Sequence, residues 1–100
     1  MNLEIIAEIA QGFEGNFNLA KRLILAAHKT GADYIKFHLI YADELATKDY
    51  KHYKFLKKLE LDDNEWKKLN FLASKKKIKL IFDVFGKKSL DLAIKLKTKK

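Results

Sequence analysis

The sequence predicts an α/β protein built on parallel strands, and three observations carry that expectation. Three short apolar segments recur along the 100 residues, each followed by a stretch of helical periodicity. The connections between them are too long for hairpins and long enough for helical crossovers. Proline and cysteine are absent, and 48% of the residues are hydrophobic, so one core can form without a disulfide framework.

The first segment, residues 3–10 (LEIIAEIA), is short and rich in isoleucine, and Gly12, Gly15 and Asn16 follow it. It reads as a mostly buried strand. From Asn18 the period changes, and Leu19, Leu23, Ala26 and Ala27 fall at helical intervals while Lys21, Arg22 and Lys29 lie elsewhere. This is an amphipathic helix capped by Asn16 or Asn18 and stopped by Gly31. Residues 32–40 (ADYIKFHLI) alternate apolar side chains with Lys36 and His38, which makes a second strand. Strand, helix and strand together form a right-handed βαβ unit.

Residues 41–61 contain no glycine or proline and set Tyr50, Tyr53, Phe55, Leu56 and Leu59 among lysines, so part of this stretch is expected to be a short helix. In Asp62-Asp63-Asn64-Glu65 a capping aspartate precedes a glutamate by three positions. Trp66, Leu69, Leu72 and Ala73 supply the apolar face of the helix that follows. It ends at Ser74-Lys75-Lys76-Lys77, where cations suit the negative end of the dipole. Residues 78–85 (IKLIFDVF) form the third strand, broken at Gly86. Residues 89–97 form a third helix with Leu90, Ala93, Ile94 and Leu96 inward.

Three βα units open either a doubly wound sheet or a closed (β/α)8 barrel of the TIM type. A barrel of eight units takes about 250 residues, so residues 1–100 would make less than half of one. The three βα units are then expected to be the first of a barrel that is incomplete in this chain. No linker divides the sequence, and no second domain is expected. An open three-stranded sheet exposes its edges, so either a longer protein or another chain would complete it, and self-association through the edge is one such route.

The formal charge of +8 is unevenly spread. Residues 1–74 hold 11 Lys/Arg and 11 Asp/Glu, whereas residues 75–100 hold 10 lysines against Asp83 and Asp91. These lysines flank apolar clusters, include no arginine and accompany no nucleic-acid motif, so a nucleic-acid role is not expected. No apolar run is long enough to span a membrane. Met1-Asn2-Leu3-Glu4 opens no secretory signal, and a cysteine-free chain fits a cytoplasmic location.

In either architecture ligands bind at the C-terminal ends of the strands. The polar residues there are Glu8 and the loop 11–16 after strand one, Lys36 and His38 on strand two, and Asp83 on strand three. An unpaired carboxylate between Ile6 and Ile9 would be costly to bury, and Lys36 is in the same position on the next strand. Two readings stay open. The pair satisfies only itself, or it floors an active site in which Lys36 is a point charge for a phosphate or carboxylate and Glu8 an acceptor or general base. His38 reads as a hydrogen-bonded wall residue or an acid/base group, and Asp83 as a lip residue or a cap for the next helix. His28 and His52 read as surface residues. Gly12 and Gly15 match neither the dinucleotide nor the P-loop fingerprint.

The run Ile6-Ala7-Glu8-Ile9-Ala10, the Gly15-Asn16 turn, Leu19 to Ile24, and Gly31-Ala32-Asp33-Tyr34-Ile35-Lys36-Phe37 resemble the opening of the N-acetylneuraminate (sialic acid) synthase family. Tyr53-Lys54, Leu59-Glu60-Leu61, Glu65-Trp66-Lys67-Lys68-Leu69, and Phe82 to Phe85 with Ser89-Leu90 agree in order. The resemblance implies the N-terminal portion of a (β/α)8 barrel that condenses phosphoenolpyruvate with an N-acetylated amino sugar such as N-acetylmannosamine, releasing phosphate. It implies a divalent metal, manganese or magnesium, as Lewis acid on the sugar aldehyde, with its histidine ligands on strands outside this chain. By position Glu8 corresponds to a glutamate facing the sugar, and Lys36 to a lysine that contacts phosphoenolpyruvate. The chain alone is then expected to be an inactive fragment. The alternative is a non-catalytic α/β binding or scaffold module completed by another chain.

Three departures stand out. The family's Asn-His-x-Gly loop is Gly12-Phe13-Glu14-Gly15, its glutamine two places after the lysine is His38, and its Thr-Pro-Phe is Asp83-Val84-Phe85. The last exchanges a hydroxyl suited to phosphate for a carboxylate that repels it. Together they point to a divergent branch acting on a related sugar.

Overall fold

The computed structural model describes residues 3–98. Met1 and Asn2, and the last lysines of the basic stretch, Lys99 and Lys100, lie outside the described residues. The elements in chain order are β1 (Ile6–Ala10), α1 (Phe17–Lys29), β2 (Tyr34–His38), α2 (Ala42–Leu45), α3 (Tyr53–Lys58), α4 (Asp63–Lys75), β3 (Lys79–Asp83) and α5 (Lys87–Thr98). All three expected strands form, each shorter than its apolar run. The stretch after β2 holds two short helices rather than one.

The strands are parallel and lie in the order β1-β2-β3. With no reversal in that order, right-handed crossovers place α1 and α4 on one face, and α5 joins them through Leu92 and Leu96 in the same core. One core results, joining Ile35 and Phe37 of β2 to Ala20, Ile24 and Ala27 of α1, Trp66, Leu69 and Ala73 of α4, and Leu92 and Leu96 of α5. Trp66 is its centre, in edge-to-face contact with Phe13, Phe37 and Phe82 at centroid distances of 5.2 to 5.6 Å.

The helix ends follow local chemistry. Asn16 accepts the Leu19 N–H at 3.0 Å and caps α1. Asp62 and Glu65 form the reciprocal capping box of α4 at 2.7 and 3.0 Å. Both helices end in the Schellman pattern: Gly31 N–H donates to His28 O and Ala32 N–H to Ala27 O, then Lys77 N–H to Ser74 O and Ile78 N–H to Ala73 O. The left-handed residue is Gly31 (φ 82°) in the first case and Lys77 (φ 59°) in the second.

Three expectations about burial are corrected. The first strand is half open rather than mostly buried, with Ile6 49% exposed, because β1 pairs only with β2 and its other face meets solvent. On α1 the line of contact with the sheet is Ala20, Ile24 and Ala27. Leu19 and Leu23 border it half-buried, and Ala26 is exposed. On α5, Leu92 and Leu96 enter the core whereas Leu90 and Ile94 are about half exposed. That helix carries two apolar stripes, and the one that includes Leu92 faces the core.

The strand β1 ends in a bulge. Glu8 lies level with Lys36 and Ala10 with Phe37, leaving Ile9 as the additional residue, and Ala10 takes a φ of 54°. Beyond it the loop turns inward. Phe13 is fully buried against Phe37 and Trp66, and Gly15 (φ 66°) lies against the Lys58 carbonyl, where no Cβ fits. The Gly12 to Gly15 loop is therefore packed structure rather than an open cradle.

Candidate functional site

Strand alternation turns Lys36 and His38 away from the helices, opposite to Ile35 and Phe37. Glu8 lies level with Lys36 on β1, and Asp83 level with His38 on β3. All four side chains therefore meet on the helix-free face, toward the C-terminal ends of the strands. The Lys36 ammonium is 3.2 Å from Asp83 Oδ1 and 3.4 Å from Glu8 Oε1. His38 Nε2 is 3.3 Å from Asp83 Oδ2.

Two further groups hold the imidazole. The Gln11 side-chain amide, from the loop after β1, approaches His38 Nδ1 at 3.4 Å. With Gln11 donating, the ring proton rests on Nε2 and faces Asp83. The Phe85 ring stands edge-on to the imidazole at 5.3 Å. Gln11 belongs to the loop the sequence marks out, but nothing local to it signals a partner on the neighbouring strand.

The electrostatics centre on Lys36. The hydrogen bond and charge of Asp83, followed by the charge of Glu8, raise its pKa above the ordinary lysine value, so the ammonium stays charged. Glu8 is 62% exposed, which corrects the expectation of a carboxylate buried in an apolar strand. Exposed pairs of this kind contribute little to stability. Asp83 does not cap the helix that follows it. The first N–H groups of α5 are taken instead by Glu44, a residue the sequence does not single out. His28 and His52 are exposed, as their setting predicts.

The cluster does not fit a divalent metal. The position between the Glu8 and Asp83 carboxylates is filled by the Lys36 ammonium, and no group of three or more candidate ligands converges among the described residues. An open groove of about 800 Å³ beside α2 and α3, lined by Leu45, Tyr50 and Phe55, contains none of the four residues. No helix among the described residues is long and apolar enough to cross a membrane.

Parallel strands in sequential order, helices on one face and a polar cluster at the strand ends define a βα-repeat protein of the α/β class. Known proteins narrow this further. The chain is 33% identical, over all of its length, to the N,N'-diacetyllegionaminic acid synthase of Legionella pneumophila. It is 34% identical over 88% of its length to the Campylobacter jejuni protein of the same name. The crystal structure of N-acetylneuraminic acid (sialic acid) synthetase from Leptospira borgpetersenii, in complex with citrate, superposes on 96% of the chain with a TM-score of 0.85 and 26% identity. No protein-family profile matches. The chain belongs to the sialic acid synthase-like family and spans about a third of these relatives, 32%, 30% and 34% of their lengths.

Proposed function

We propose that this segment is the N-terminal portion of a cytoplasmic (β/α)8 synthase barrel that joins phosphoenolpyruvate to an N-acetylated amino sugar and releases phosphate. The observation that carries the reading is the convergence of Glu8, Lys36, His38 and Asp83 on the helix-free face at the strand ends, where barrels of this type bind ligands. Leu90 and Ile94 on the outer side of α5, and Ile6 on the open strand β1, are the apolar positions that further βα units would cover.

In this reading Lys36 supplies a fixed positive charge for the carboxylate or phosphate of phosphoenolpyruvate, and its raised pKa keeps that charge in place. Asp83 at the end of β3 and Glu8 on β1 both repel a phosphate, so the attraction for that anion comes from Lys36, which stands between them. Glu8, exposed and anionic, accepts from a sugar hydroxyl or takes up a proton. His38, held by Gln11 and Asp83, presents its ring as a wall of the sugar site. The divalent metal of the family has no ligand set in this cluster, so its ligands would come from other strands.

The test is phosphate release by the complete barrel carrying this segment, given phosphoenolpyruvate, manganese or magnesium, and a panel of N-acetylated amino sugars. Lys36→Met and Glu8→Gln should each lower kcat/KM by about 10²-fold or more. The 100-residue chain alone should release none. Failure of the complete barrel with every sugar overturns the proposal.

The uncovered apolar positions also favour a second reading, a binding or scaffold module completed by another chain or by its own copy. Concentration-dependent association in sedimentation supports it, and a monomer that unfolds cooperatively counts against it.

A further inference from the structure

The N-terminus of α5 is capped from a different loop. Gly86 stands at its N-cap position, with the Gly86 carbonyl accepting the Leu90 N–H at 3.0 Å, but it has no side chain to receive the N–H groups of Lys88 and Ser89. Glu44 receives them. Lys88 N–H donates to Oε2 at 2.8 Å, and Ser89 N–H to Oε1 at 3.2 Å. Ser89, fully buried, completes the reciprocal half, its hydroxyl oxygen accepting from Phe85 N–H at 3.0 Å and Gly86 N–H at 3.2 Å. The result is a capping box whose acceptor comes from α2.

Glycine at position 86 is what admits that acceptor, because a Cβ there would collide with the Glu44 carboxylate. A second contact joins the same two loops, the Lys88 ammonium lying 4.2 Å from the centre of the Tyr41 ring. The turn fixed in this way carries Phe85, whose ring stands against His38.

The geometry points to Glu44 as a positioning residue for the cluster: by capping α5 from the loop after β2, it fixes the loop after β3 and holds Phe85 against His38. Its importance for turnover rests on the proposed synthase reading, whereas its effect on ring placement does not.

The competing account is that Glu44 only caps a helix, and NMR of the 100-residue chain separates the two. Glu44→Ala should lower the thermal midpoint and abolish the cross-relaxation between the Phe85 and His38 ring protons. Adding Gly86→Asp supplies a local cap, which should restore the midpoint but not the ring contact. Cross-relaxation that survives Glu44→Ala, or that returns with Gly86→Asp, overturns the positioning role. Should Glu44→Ala not fold, Gly86→Asp alone evicts the carboxylate while keeping the helix capped. Loss of the ring contact then supports the role, and its persistence overturns it. Ring contacts that respond as expected in a barrel that releases no phosphate would sink the synthase reading alone.

Discussion

Lys36 and Asp83 meet on a diagonal: Lys36 is level with Ile81 on β3, yet its ammonium lies 3.2 Å from the Asp83 carboxylate two residues further along. The lysine therefore leans toward the strand ends, and Asp83 holds it there.

That contact sets a pH dependence. A lysine whose folded pKa exceeds its unfolded value adds stability that is complete below the unfolded value and is lost as pH rises through the folded one. Asp83 is the first cause of the raised Lys36 value. Asp83→Asn should move the side-chain titration of Lys36, followed by NMR, to lower pH, and the alkaline loss of stability, which still begins at the unfolded lysine value, should be smaller and complete at lower pH. An unchanged titration would refute the assignment.

Trp66 is fully buried among three aromatic rings, and its indole N–H has no acceptor among the described residues. Trp66→Ala should cost about 3–5 kcal/mol through the cavity it leaves. Trp66→Phe keeps most of the ring contact and gives up no hydrogen bond, so urea unfolding followed by circular dichroism should show a much smaller loss.

The Tyr41 hydroxyl donates to Asp63 Oδ1 at 2.5 Å, tying the start of α2 to the start of α4. Burial first, and then this bond, push the phenol well above its usual range. The neutral form therefore belongs to the folded state, and the stability it adds is lost as pH rises through that raised value. Tyr41 should form phenolate only as the chain unfolds in alkali, seen as coincident absorbance and circular dichroism transitions. Tyr41→Phe should cost about 1 kcal/mol in urea unfolding.

Lys77 occupies in α4 the left-handed position that Gly31 fills in α1. The side chain is exposed, so relief of backbone strain outweighs lost packing. Lys77→Gly should raise stability by about 1 kcal/mol, against the usual sign for introducing glycine. A lower thermal midpoint would show that the strain is absent.

What the sequence discloses follows the range of the interactions. Asn16, Asp62 and Glu65 could be read because caps act over three residues, and the strand ends could be read because charge there interrupts apolar runs. The inward face of α5 could not, since its two apolar stripes are equally good until the rest of the core selects one. The grouping of Glu8, Lys36, His38 and Asp83 was legible as four polar residues at strand ends, because register in a parallel sheet brings such positions together. The exposure of Glu8 was not, as it depends on what covers the sheet. Glu44 gave no sign at all. Its partners lie on a helix more than forty residues further along, and only the missing side chain of Gly86 makes room for it.

The single additional residue at the end of β1 sets a limit on change in that region. It resets the strand's two-residue alternation just before Gln11 departs, and Gln11 then reaches the His38 imidazole. Deleting one residue from Ile9-Ala10 would restore an even pleat and send that amide to the wrong side. The rim of this sheet can thus absorb substitutions far more readily than a change in its length.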